Sequence, residues 1–194
     1  MKKILLIVSI LLLNFTTKAE EVQYGVVYSQ KQKEKFPNYK FPIPEKEWNP
    51  ETKVWLARSC VGEAGWNVSE CIAISWVYAT RYRELNGCTS FLTIVKKYSA
   101  AIKERSTHKR PWILGLNLKG NKPDKWPKNI SWKIHKKLWF SILSDLDLWI
   151  KGQKPNPVIG ANHFGGSMDR PGDYWMIIKP EGYTFKNIFY KSRF

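Results

Sequence analysis

Val54-Trp55-Leu56-Ala57-Arg58-Ser59-Cys60-Val61-Gly62-Glu63-Ala64-Gly65-Trp66 reads as an amphipathic helix whose last turn delivers one glutamate beside an alanine and a glycine. Asn49 as cap and Pro50 as first helical residue open it, and Gly65 closes it. The carbonyl end of a helix carries partial negative charge, and Trp66 next to it can exclude water. Both favour the protonated form of Glu63. A carboxylic acid still protonated near neutral pH is what a glycosidase needs to protonate a departing glycosidic oxygen. The plainer alternative is an ordinary helix end with a solvated glutamate.

Working outward, a second helix follows at once. Asn67-Val68-Ser69-Glu70 supplies a cap with an acid three residues on, and Val68, Ile72, Trp76 and Ala79 repeat at helical spacing until Asn86-Gly87. A third starts at Thr89 or Ser90, with Phe91, Ile94, Tyr98 and Ala101 or Ile102 on one face, and fades at Ser106-Thr107. Residues 110–129 read as loop. A fourth, longer helix runs from Ser131 to Gly152 with Ile134, Leu138, Ile142, Leu146 and Trp149 as a core stripe. Beyond Gly152 the glycines and prolines predict loops and a small hairpin around Tyr174 to Ile178. The expected class is mainly α: a helical domain over 51–194 with a loop-rich C-terminal part, preceded by an extended arm over 20–50 that holds Pro37, Pro42, Pro44 and Pro50.

Residues 1–19 combine Lys2 and Lys3, the apolar run Ile4 to Phe15, and the small residues of Thr17-Lys18-Ala19. That pattern predicts a secretory signal cleaved after Ala19, its apolar run being too short to cross a bilayer as a mature helix. The formal charge is +16 over 194 residues, and only three of the lysines leave with the signal. One domain with ample core is the expected count, in a monomer. An exported protein so basic concentrates on anionic surfaces such as wall polymers, lipopolysaccharide, phospholipid or nucleic acid, and salt weakens that attraction. Charge alone does not choose among them.

Three cysteines in an oxidising compartment allow one disulfide and one thiol. Cys60 with Cys71 would pin the end of the first helix to the start of the second and fix the direction of Glu63, and is the preferred pairing. Either of them with Cys88, or three buried thiols, are the alternatives. The three histidines and three cysteines show no zinc-ligand spacing, so neither a metal nor another cofactor is expected.

The order Leu56-Ala57, Gly62-Glu63-Ala64-Gly65, a helix from Ala73 to Arg81, Phe91 to Ser99, and Gly160-Ala161-Asn162-His163-Phe164 resembles the spore cortex-lytic type of cell-wall hydrolase. In that family a helix ending in a Glu-Ala-Gly-like motif bears the catalytic glutamate, and a late Gly-Ala-aromatic segment lines the same cleft. Leu56 to Gly65 is also similar to a stretch of exported lysozyme-like proteins, some from predatory bacteria, and this longer match carries more weight. The resemblance implies a lysozyme-like helical core, peptidoglycan as partner and substrate, and Glu63 as general acid. Trp66 stands where cortex-lytic enzymes usually have a second acid, and Gly165-Gly166-Ser167-Met168-Asp169 departs from their usual ending.

Glycoside hydrolysis normally uses a second carboxyl group. Asp145 and Asp147 sit two apart on a helix and read as solvated charges. Asp169, in a glycine-rich loop near His163, is the better candidate, with turn formation as its alternative role. Without a second acid the muramic acid 6-hydroxyl attacks instead, leaving an anhydro sugar. Asn162 and His163 are candidate sugar-binding groups, and Tyr98 and Ser99 are placed to reach the cleft, although Tyr98 also falls on the apolar stripe. Among ten tryptophans, Trp55, Trp76, Trp132, Trp139 and Trp149 fall within helices. Trp66, Trp112, Trp126 and Trp175 lie in or near loops, and Trp66 and Trp112 are the preferred sugar stackers.

A rival reading is a non-catalytic protein coating lipopolysaccharide, glycan or nucleic acid through interleaved lysines and aromatics at Lys35-Phe36, Tyr39-Lys40-Phe41 and Lys186 to Phe194. Nucleic acid is not the expected partner, and a solvated basic face explains such runs more simply.

Overall fold

The computed structural model describes residues 42–85, 88–103, 110–165, 175–180 and 182–192. The signal segment, arm residues 20–41 and Asp169 lie outside the described residues. The architecture is mostly helical, with a small antiparallel sheet at the C-terminal end.

Helix α1 spans Pro50–Ala64, capped by Asn49, whose Oδ1 accepts from Thr52 N at 2.9 Å. It ends at Gly65, whose φ of 68° suits a residue without a side chain. Helix α2 spans Val68–Glu84; Asn67 Oδ1 accepts from Glu70 N at 3.1 Å. Glu70 does not complete a capping box, because its side chain turns to the C-terminal segment. Helix α3 spans Phe91–Tyr98, capped by Ser90, and α4 spans Trp132–Ile150. Helix α2 is buried along nearly its whole length, and both α1 and α2 pack against each of the other helices.

Two expectations are corrected. Helix α3 ends at Tyr98 rather than near Ser106, since Ser99 is extended (φ −86°, ψ 114°) and the Ala101 N–H, which a longer helix would use internally, goes to a side chain of α1. The core stripe of α4 begins at Trp139, not Ile134. Trp139, Ile142, Leu143, Leu146 and Trp149 are buried, whereas Ile134 is 60% exposed, because it lies off the face that these residues share, while Trp132 and His135 of the same turn pack against Trp126.

Trp149 anchors the core, with ring centroids 5.8 Å from Trp48, 6.0 Å from Trp76 and 6.0 Å from Phe91. Trp76 and Trp139 are buried too; Trp55 and Trp132 are half-buried. Trp126, on the long connection, is buried, its indole donating to Ile130 O at 2.7 Å. The described end of the arm is tied down: Ile43 is buried, Arg83 donates to Pro42 O, and Glu47 accepts from Phe91 N and the Tyr82 hydroxyl.

The expected hairpin is a three-stranded sheet: β1 His163–Gly165, β2 Trp175–Ile178 and β3 Ile188–Ser192, in the order β1-β3-β2. His163 pairs with Tyr190 and Ile177 pairs with Tyr190 from the other side. Phe164 packs edge-on against Tyr78, 5.6 Å between centroids, which seats β1 on α2. Among the described residues no helix is long and apolar enough to cross a membrane.

Candidate active site

Glu63 occupies the last turn of α1 and is half-buried. Its Oε1 accepts from Ser99 Oγ at 2.8 Å and from Ala101 N at 3.0 Å. Oε2 has no hydrogen bond among the described residues. With two donors on Oε1, the proton of the acid form belongs on Oε2. The backbone carbonyl of Glu63, exposed by the end of the helix, accepts from Asn187 Nδ2 at 3.1 Å.

Two devices hold this turn. The Cys60–Cys71 disulfide joins α1 to α2, with 4.9 Å between Cα atoms, and Cys88 is free and exposed. Glu70, only 1% exposed, accepts from Lys186 N at 3.1 Å, Asn187 N at 2.6 Å and Asn187 Nδ2 at 2.7 Å. It thereby fixes the residue that caps Glu63.

Behind Ser99 runs a buried polar chain. Tyr78, from the middle of α2, hydrogen-bonds Ser99 and lies 2.8 Å from Ser59 Oγ; all three residues are fully buried. Burial, and then the negative charge of Glu63, push the Tyr78 phenol above its ordinary range, so it stays a protonated donor.

One turn further along α2, the Arg81 guanidinium lies 4.1 Å from the centroid of the Tyr98 ring and its Nε donates to Asn162 O. Burial lowers the pKa of Arg81, while Tyr78, Tyr98 and Glu84 support its charge. Asn162 Nδ2 donates to both Glu84 oxygens, at 3.0 and 3.1 Å, so its Oδ1 faces His163 Nδ1 at 2.7 Å. Oδ1 only accepts, so the neutral imidazole carries its proton on Nδ1. Burial, reinforced by Arg81, holds the His163 pKa down to about 4.

Of five residues singled out from sequence, Glu63 and Ser99 are joined by a hydrogen bond, and Tyr98, Asn162 and His163 gather around Arg81; the two groups adjoin along the chain at Tyr98 and Ser99 and make one patch. Tyr78, Arg81 and Glu84 complete it. Sequence reasoning misses them because α2 reads as core; an arginine and a glutamate inside an otherwise apolar helical run are the signal.

Trp66 and Trp112 form a second group. They stack on each other, 6.1 Å between centroids and 15° between planes, and close on Trp126 and His135. The faces expected for sugar are spent partly on each other, and both rings are half-buried.

Asp145 and Asp147 are partly exposed, and each also pairs with a lysine: Asp145 with Lys154 at 2.8 Å and Asp147 with Lys53 at 2.5 Å. Neither joins the Glu63 network. A cavity of about 320 Å³ lined by Ser69, Ile72, Asp145, Lys154 and Tyr183, among others, shares no residue with that network. No group of three His, Cys, Asp or Glu placed to hold a metal occurs among the described residues. Compared with protein families, curated proteins and solved structures, the chain matches none.

Proposed function

We propose that this chain is an exported, lysozyme-like glycosidase that cleaves the β-1,4 bond between the amino sugars of peptidoglycan, with Glu63 as general acid. The observation that carries the reading is the grip on Glu63: Oε1 held by Ser99 and Ala101, which directs the proton to Oε2. The resemblance of Leu56 to Gly65 to lysozyme-like proteins supports it, as does the position of Tyr98, next to Ser99 in the chain, in a group with Asn162 and His163 around Arg81. Signal cleavage near Ala19, an arm over 20–50 and attraction of the basic chain to an anionic envelope belong to the same reading.

In the reaction Oε2 gives its proton to the glycosidic oxygen as the C1–O bond breaks. Two outcomes complete the chemistry. In hydrolysis water adds to C1 and returns a proton to Glu63, leaving a reducing end. In lytic transglycosylation the muramic acid 6-hydroxyl adds to C1 and returns its proton to Glu63, leaving an anhydro end. Neither outcome requires a metal or other cofactor.

The test compares the protein with Glu63→Gln on native and chemically deacetylated peptidoglycan, with mass spectra of the soluble fragments. Reducing ends released only by the unsubstituted protein mark a hydrolase, and anhydro ends mark a lytic transglycosylase. Unchanged fragments from Glu63→Gln would refute the assignment of the acid. No fragments from either protein would favour a non-catalytic envelope-binding role.

A further inference from the structure

Between residues 117 and 140 the chain has seven lysines against one acid, Asp124, and no arginine. All seven lysines are exposed, and none takes part in a salt bridge among the described residues. On α4, Lys133, Lys136, Lys137 and Phe140 stand at i, i+3, i+4 and i+7 and share one face. The connection before α4 is packed onto that face. A Cβ on Gly120 would lie 2.6 Å from the Phe140 ring and 3.1 Å from Lys136 Cε, and Trp139 Nε1 donates to Asn117 O at 2.8 Å. Leu118 and Lys119 are thereby set beside the lysines of α4.

Large apolar side chains are exposed on the same stretch: Ile134 at 60%, Phe140 at 39% and Leu118 at 38%. Lysines alone would be explained by solvation. A hydrophilic polyanion, whether wall polymer or nucleic acid, gains nothing from the apolar residues, and bidentate phosphate recognition favours arginine. A second copy of the chain is repelled by the like charge. An apolar phase lying behind a layer of phosphates uses both features: diffuse positive charge at the headgroups and side chains entering the acyl boundary.

We propose that this face docks the chain on an anionic lipid bilayer. The assignment does not depend on the chemistry of Glu63, and Glu63→Gln binds vesicles as the unsubstituted chain does.

The experiment is flotation of the mature chain, from Glu20 onward, with vesicles of phosphatidylcholine alone and of phosphatidylcholine mixed with phosphatidylglycerol, at low and physiological salt. Circular dichroism checks that every variant is folded. The chain is expected to float only with the anionic vesicles. The triple variant Lys133→Gln, Lys136→Gln, Lys137→Gln weakens binding by about a hundredfold, roughly fivefold per lysine near the surface. Ile134→Ser weakens it by about tenfold. A charge-matched control, Lys103→Gln, Lys151→Gln, Lys179→Gln, leaves most of the affinity in place. Equal binding to neutral and anionic vesicles overturns the proposal, as does an equal loss in the control triple. It also falls if soluble polyphosphate binds as tightly as the vesicles and Ile134→Ser affects neither, since the face is then a polyelectrolyte site.

Discussion

Gly62 and Ala101 meet with no room for another carbon between them: a Cβ on Gly62 would lie 2.1 Å from the Ala101 Cβ. This closeness brings the backbone of the 99–101 segment to α1 and lets the Ala101 N–H reach Glu63 Oε1. Gly62→Ala must push the two apart. It is expected to lower stability by about 1–3 kcal/mol and to slow glycan cleavage by about a hundredfold, the cost of a misplaced reacting group. Urea unfolding and fragment release measure the two effects. A variant with normal rate would show that the contact does not position the acid.

Ser99 contributes the second donor to Oε1, and its own oxygen is backed by Tyr78. Ser99→Ala is expected to cost about 1 kcal/mol of stability, the net worth of a buried hydrogen bond, yet to reduce kcat by about tenfold or more. Steady-state kinetics on a soluble glycan fragment separates the effects: a positioning role lowers kcat and leaves KM nearly unchanged. A rise in KM alone would make Ser99 a substrate-binding group instead.

The helices and the place of Glu63 on the first of them were legible because their signals are local. Asn49, Pro50 and Gly65 bound α1, Asn67 starts α2, and Glu63 stands in the last turn of its helix. The grip on Glu63 was only half legible. Ser99 falls at a helix end, but its distance from Glu63 in sequence hides the contact, and Gly62 reads as a weak helix former rather than a contact point. The ties from Asn187 to Glu63 and Glu70 cross more than 100 residues and leave no periodic trace. Helical spacing placed Ile134 in the core stripe wrongly by angle: a run of i, i+4 steps drifts around the helix, so Ile134 ends up off the face that Trp139, Ile142 and Leu146 bury.

The Cys60–Cys71 bridge and the exposed Cys88 make a countable prediction. Native protein without reductant should label at one thiol, and denatured, reduced protein at three. Replacing Cys60 and Cys71 together by alanine should lower stability by about 2–4 kcal/mol, as expected for loss of a short cross-link. Three reactive thiols in denatured, unreduced protein would show that no bridge forms.

Glu70 offers a sharper test of what orders the C-terminal segment. A residue acting only in a helix cap would cost at most about 2 kcal/mol, typically about 1, on substitution, and would leave the acid undisturbed. Glu70→Gln instead sets a side-chain NH₂ against the backbone N–H of either Lys186 or Asn187, which bond different oxygens of Glu70, and is expected to cost about 2–3 kcal/mol. Because Asn187 also caps the carbonyl of Glu63, cleavage should fall as well. Thermal unfolding with the rate measured well below the transition distinguishes the two roles; a normal rate would confine Glu70 to stability.

His163 sets an acid limit on stability. Its pKa falls from 6.5 to about 4, first through burial and then through the charge of Arg81. Between these values the unfolded chain binds a proton that the folded chain does not, so protonation favours unfolding. The contribution of His163 to stability is therefore full above about 6.5 and is lost progressively as the pH falls toward 4. His163→Asn removes this component while keeping a polar side chain. Urea midpoints of the two proteins should differ by a gap that changes between pH 4 and 6.5 and is constant above pH 7. A gap independent of pH throughout would mean that His163 keeps its ordinary pKa.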